Sequence, residues 1–310
     1  MISSHVSSFA GLPVLPFTPG MTLPDDPSAV AWRLEVEDFD AEPEEFAGLV
    51  QALREQVPAD AVRALVIGEW GEAYERPLPV EALVAAAGEW TALRAVFLAD
   101  LTYEQCEISW LRHGDITPLL AAYPSLEVLW VRGAQDLRLE PVRHDALREL
   151  RFESGGLPAG VVRAVGACEL PALHRLDLWL GRSDYGGDAT VDDLAGVLAG
   201  TGLPALRHLA PCNAEIADAV AAAVAAAPVV PRLEVLDLSM GTLTDEGAAA
   251  LLAGQPLTHL TQLDLHHHYL SEEMAASVVA ALPGVRVDVS DPQEADEHNG
   301  TRYRYTAVGE

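Results

Sequence analysis

Leucine and its apolar equivalents recur along the chain in a six-residue pattern, LxxLxL. "VRALVI" begins at Val62, "LRAVFL" at Leu93, "LEVLWV" at Leu126 and "LRELRF" at Leu147. "LHRLDL" begins at Leu173, "LRHLAP" at Leu206, "LEVLDL" at Leu233 and "LTQLDL" at Leu260. The steps between them are 31, 33, 21, 26, 33, 27 and 27 residues, a repeat period. "AWRLEV" at Ala31 reads as an opening strand and "VRVDVS" at Val285 as a degenerate closing one. Most steps leave room for a helix after each strand, whereas the 21-residue step from Leu126 predicts a return through a loop. Thr244 and Ser271, each followed by two acids, predict helix N-caps, and Thr190 before "VDDLAGVLAG" predicts a third. Thr117-Pro118 predicts another helix start, with proline in the first turn. A single strand–helix unit cannot bury its leucines, so stacked neighbours must close the core.

This repeat resembles the leucine-rich repeat of the ribonuclease-inhibitor type. The expected class is α/β: a leucine-rich-repeat solenoid, or horseshoe, with a concave parallel β-sheet and a mostly helical convex side. The expected divisions are an N-terminal arm over 1–30, the solenoid with its degenerate capping strands over 31–290, and an acidic linker and tail over 291–310. Two departures stand out. The slot eight residues after the first leucine, usually Asn or Cys, holds Trp70, Leu101, Ala134, Gly155, Gly181, Ala214, Gly241 and His268. The turns must therefore satisfy their backbones without an asparagine ladder. Pro211 replaces the last leucine of its strand and predicts a local irregularity in the sheet.

Nearly the whole chain also resembles a family of bacterial intracellular leucine-rich-repeat proteins. The resemblance is carried by "FAGLPV", "AWRLEVEDFD", "ALVIGEWGEAYE", "YEQCEISW", "LWLGRSDYGGDATVDDL", "LDLSMGTLTDEGAAALLAGQPLTHL" and "YTAVGE". It implies genes beside radical-SAM, ATP-grasp and phosphatase-like enzymes, and an accessory or recognition role. It implies no catalytic residues.

Period-two alternation sends the third, fifth and seventh strand positions to the face opposite the leucines. The first two repeats place only small or apolar side chains there: Ala64, Val66, Gly68, Ala95, Phe97 and Ala99. A bare floor of this kind needs a cover. The proline-stiffened "FAGLPVLPF" of the arm is the preferred candidate, with the tail "YRYTAVGE" as the alternative. Later repeats present Trp130, Arg132, Arg151, Asp177, Trp179, Asp237, Asp264 and His266, the candidate binding residues. Trp and Arg are favoured interface anchors. Aspartate at the fifth position is also a common scaffold residue of such repeats.

Charge narrows the partners. With 19 basic and 47 acidic residues the net charge is -28, which disfavours nucleic acid and anionic membranes and favours a basic protein. Cys106, Cys168 and Cys212 have no zinc-ligand or CxxC spacing, which fits a reduced, cytoplasmic chain. The N-terminal stretch lacks a basic n-region, and no apolar run reaches membrane-spanning length.

Candidate chemistry thins out on inspection. "DLHHHYLSEEM" from Asp264 superimposes on "DLSMGTLTDEG" from Asp237, so its histidines fill variable repeat slots, and no metal or other cofactor is expected. His208 and Cys212 are four apart on a strand, about 13 Å, too far to act as a nucleophile pair with Asp237. "SDYGGDAT" lacks the order of a phosphate loop. "TYEQCEISW", Thr102 to Trp110, reads as a packed loop after a strand or as a rim contact. The leading reading is a non-enzymatic protein-interaction module. The alternatives are an accessory or substrate-recognition subunit of a biosynthetic complex, and a small-ligand or metal binder near Asp264 and His266. The oligomeric state is not specified by the sequence.

Overall fold

The computed structural model describes residues 2–38 and 40–309, with residue 301 described in its backbone only. They form two compact units. One comprises Ile2–Glu153 with Glu169–Pro171, and the other Ser154–Cys168 with the residues from Ala172 onward.

The first unit contains strands β1 (Ser8–Phe9), β2 (Leu12–Pro16), β3 (Ala31–Leu34), β4 (Ala64–Ile67), β5 (Ala95–Leu98), β6 (Val128–Arg132) and β7 (Glu149–Glu153). They lie side by side in that order, β1 antiparallel to β2 and the rest parallel. The register sets Val66 beside Phe97, Phe97 beside Trp130 and Trp130 beside Arg151, the rows that the repeat predicts. The leucines face inward: Leu65, Leu126 and Leu129 are fully buried. Helix α1 (Pro43–Gln56) opens on a capping box between Glu42 and Glu45 and buries Phe46, Val50 and Leu53, one stripe at helical spacing. Helices α2 (Val80–Ala85) and α3 (Thr117–Ala122) follow β4 and β5. Between β6 and β7 the chain returns without a helix, as the short step requires.

The arm seals the apolar floor. Ala10 and Gly11 both take positive φ, 49° and 78°, the left-handed pair of a two-residue hairpin turn. This turn folds β1 back on β2, and β2 extends the sheet beside β3. Phe9, 1% exposed, is thereby set against Ala64, Val66, Ala95 and Phe97. Its ring lies 5.8 Å from that of Phe97 and 5.2 Å from that of Trp130.

The second unit alternates α4 (Ala159–Ala167), β8 (Arg175–Gly181), α5 (Ala195–Ala199), β9 (His208–Ala214), α6 (Ala217–Val224), β10 (Val235–Asp237), α7 (Asp245–Ala253), β11 (Gln262–Asp264), α8 (Glu272–Ala281) and β12 (Arg286–Asp288). Its five strands are parallel and adjacent in chain order. A separate hairpin, β13 (Asp296–His298) and β14 (Thr301–Tyr303), leads into the tail. Thr244 and Ser271 cap α7 and α8, accepting from the N–H groups of Glu246 and Met274. Thr190 does otherwise. Its hydroxyl and N–H both donate to Asp193, closing a turn, and α5 starts only at Ala195. Pro211 does not break its strand, which stays in register with β8 as far as Ala214. The ladder toward β10 stops at Leu209, just short of the residue without an N–H.

Several turns find their own substitute for the missing asparagine. Glu69 accepts from the N–H groups of Trp70, Gly71 and Ala73. His144 and His268 each donate from Nε2 to a carbonyl and accept a backbone N–H at Nδ1. Asp218 accepts from the N–H groups of Thr244 and Gly247.

Phe9→Ala removes the plug while leaving the hairpin turn intact. It is expected to lower the unfolding free energy by about 3 kcal/mol or more, read from the urea midpoint. An unchanged midpoint would show the floor to be stable uncovered.

Candidate functional site

The candidate residues fall in both units, and burial divides them. In the first unit Arg132 ends β6 beside Glu153 of β7. The sequence places it on an open face, but it is 5% exposed. Its Nε donates to Glu153 at 2.9 Å, and its Nη1 donates to Asp100 at 2.9 Å and to the Leu101 carbonyl at 3.0 Å. Asp100, fully buried, takes Arg33 Nη1 on its other oxygen at 2.6 Å, and that oxygen also accepts the N–H of Val6 from the arm. Arg33 continues to Glu35. At the far end Glu153 takes Arg151 Nη1 at 3.2 Å, and the Arg151 guanidinium lies 4.0 Å over the Trp130 ring. Trp130 donates from Nε1 to Glu149 at 2.8 Å. The result is a continuous ladder of alternating charge. Arg132 is corrected from a contact residue to a buried rung, because Asp100, Glu153 and the Phe97 ring enclose it. Arg33 and Asp100 were missed: Arg33 lies in the opening strand, and Asp100 lies two residues beyond β5, outside the alternation that maps the face. Trp130 and Arg151 keep only part of their surface exposed.

In the second unit β8 carries Asp177 and Trp179. Asp177 is 3% exposed, held by Arg175 through Nε and Nη2 and standing 3.4 Å from His208 Nε2. Asp237, Asp264 and Asp288 stand in register on β10, β11 and β12. Each accepts the N–H of the residue two further on: Ser239 at 2.9 Å, His266 at 3.1 Å and Ser290 at 2.9 Å. This local turn explains the aspartate at that position. Asp264 also meets His266 Nδ1 at 2.8 Å. Among the described residues, Asp237 makes no ion pair. Burial pushes its pKa up, against the bonds from Ser239, and the charges of Asp264 and Asp177 push it the same way.

The three histidines diverge. His266 turns to Asp264, His267 to Asp291 and the Tyr305 carbonyl, and His268 to the Val289 carbonyl. Among the described residues, no group of three His, Cys, Asp or Glu side chains could hold a metal ion. His208 is engaged with Asp177, and Cys212 is 2% exposed. Burial pushes the Cys106 thiol up to about 12, the opposite of an activated nucleophile.

The tail lies across the strand ends of the second unit. Asn213, with φ 51°, donates from Nδ2 to the Val308 carbonyl at 2.7 Å and accepts the Val308 N–H on Oδ1 at 3.0 Å. The Ala307 N–H donates to Met240, and Tyr305 is held by Tyr269 and His267. Thr306 and Val308 are buried there, while Tyr305 keeps 43% of its surface exposed. The tail, the alternative candidate to cover the apolar floor, instead pairs with Asn213, which the sequence does not single out.

One parallel strand per LxxLxL repeat, stacked in register with helices between most strands, defines an α/β leucine-rich-repeat fold. No family model matches the chain, and no curated protein does. Solved structures are similar to it. A crystal structure of a Bacteroides fragilis protein from structural genomics superposes with a TM-score of 0.74 at 29% identity, over 84% of this chain and 75% of that one. An internalin from Listeria monocytogenes gives a TM-score of 0.46 at 15% identity, over 85% and 68%. A TLR13–ssRNA13 complex gives 0.38 at 16% identity, over 80% and 36%. Among the described residues no helix is long and apolar enough to cross a membrane.

Two outcomes test this electrostatic reading. Asp100→Ala leaves Arg33 and Arg132 buried without their shared carboxylate and is expected to cost about 3–5 kcal/mol, measured by denaturant unfolding. A cost near zero would mean the ladder is solvated. Asp237 holds its proton to higher pH folded than unfolded, so ionising it costs folding free energy as pH rises above the ordinary value of 3.8. Asp237→Asn keeps the acceptor for Ser239 and removes that cost. The variant is expected to melt higher than the parent at pH 7, with the gain shrinking as pH falls through the carboxylate range. A gain that grows on acidification would reverse the sign.

Proposed function

We propose that this chain is a non-catalytic protein-interaction module that takes a protein partner on the concave face of its sheet. The supporting observation is Trp179. It stands half-buried on a polar face, in a row whose other members are Cys212, Ser239 and His266. The partly exposed Arg175, His208, Asp237 and Asp264 share that face. A tryptophan among pre-positioned ion pairs suits an interface anchor with a polar surround. In the first unit, taken by itself, Trp130 and Arg151 form a stacked pair that is a separate candidate contact. The net charge of -28 favours a basic partner and disfavours nucleic acid. Asp264 and His266 are contact residues in this reading, and their pairing with each other is structural. The bacterial family resemblance extends it to a cytoplasmic accessory role beside biosynthetic enzymes.

The test is co-purification of the full chain from its native host, followed by affinity measurement with the protein recovered. Trp179→Ala is expected to weaken that complex by about 2 kcal/mol or more with the fold intact by circular dichroism. Full affinity in the variant would remove the face from the interface.

A further inference from the structure

A second surface lies away from the sheet face, on the loop Thr102–Trp110 that follows β5. The exposed large side chains of the first unit gather there and on the loop of the preceding repeat. Trp110 is 54% exposed, Tyr103 40% and Tyr74 36%. The two loops run side by side, because the Arg112 N–H donates to the Ala73 carbonyl. Exposing an indole to this extent is costly unless something covers it.

The loop is built, not slack. Thr102 donates its N–H to the Gln105 side chain, and the Cys106 N–H returns to the Thr102 carbonyl. Cys106 and Ile108 point inward, 9% and 4% exposed. The Trp110 N–H closes on the Glu107 carbonyl in a single 3-10 turn, Ile108–Trp110. That anchoring leaves Tyr103, Glu104, Glu107 and Trp110 as the outward set. Glu107 accepts the indole N–H at 3.2 Å, which fixes the ring, and Glu104 lies 3.4 Å from the Tyr103 hydroxyl. Among the described residues neither glutamate makes an ion pair. The nearby arginines are committed elsewhere, Arg112 to Asp136 and Arg76 to Glu42 and Glu72.

We propose that this loop is a docking surface for a basic segment of a partner protein, which lays an arginine guanidinium on the Trp110 ring with the Glu107 carboxylate at its edge. An indole is the strongest aromatic acceptor of a cation, and a planar guanidinium stacks on it while its edge N–H groups reach carboxylates. Pre-organisation of the loop reduces the ordering lost on binding. The same chemistry is already present within the first unit, where Arg151 covers Trp130 beside Glu149 and Glu153. At Trp110 the aromatic and the acids are in place and the cation is missing.

The probe is acetyl-tetra-arginine amide, titrated into the full chain while the Trp110 indole N–H resonance is followed, with the tetra-citrulline peptide as the uncharged control. The arginine peptide is expected to shift that resonance to saturation, and the control to leave it in place. Trp110→Ala, at an exposed position that does not threaten the fold, is expected to weaken binding at least tenfold by isothermal titration calorimetry, the readout used where the indole resonance is absent. Glu107→Gln keeps an acceptor for the indole and is expected to weaken it at least threefold. Equal affinity in Trp110→Ala, an unmoved indole resonance, or equal binding of the citrulline peptide would each overturn the proposal. Val279→Ala, at an exposed position of α8 that neither surface uses, is the internal reference and leaves this titration unchanged.

Discussion

The in-register stacking of parallel strands constrains everything else. Once β4 lies against β5 and β5 against β6, each strand position becomes a row, and a row is uniform in its needs. The leucine rows solve this by burial. The opposite face has to be solved row by row, and the chain does so in two ways. Where the row is apolar, at Val66 and Phe97, a folded-back segment covers it. Where it is charged, neighbours alternate in sign or are tied to the strand's own turn.

Both solutions meet at Asp100. A fully buried carboxylate between two arginines is tolerable only because each oxygen has donors and the arm adds a backbone N–H to one of them. The apolar seal and the ionic ladder are therefore a single arrangement: lifting the arm would unplug Phe9 and hydrate Asp100 together. In the second unit Asp237, Asp264 and Asp288 stand in line on adjacent strands, and among the described residues Asp237 has no cationic partner.

The repeat made the strands legible. All eight LxxLxL positions became strands, the loop return after β6 followed from a short step, and the arm's destination followed from the bareness of Ala64, Val66 and Ala95. Burial on the outer face was less legible. Alternation says which side a residue takes, but not what lies above it, so Arg132 read as exposed although Asp100, Glu153 and the Phe97 ring enclose it. Thr190 failed for a local reason: Asp193 competed for its hydroxyl and closed a turn before a helix could start. Asn213 was invisible because its partner, Val308, lies 95 residues away and is recognised by backbone atoms, which leave no compositional trace.

The arm's contacts have a consequence for synthesis. Val6 bonds a residue 94 positions downstream, and Phe9 rests on Phe97 and Trp130. A ribosome adding about 5–20 residues per second needs roughly 5–20 seconds to supply Asp100 after Val6 has been made. During that interval the proline-stiffened arm has no complete seat, and the small-residue strands emerge uncovered. The nascent chain is thus most exposed to chaperones, and to association with its neighbours on the same messenger, before its third repeat leaves the exit tunnel.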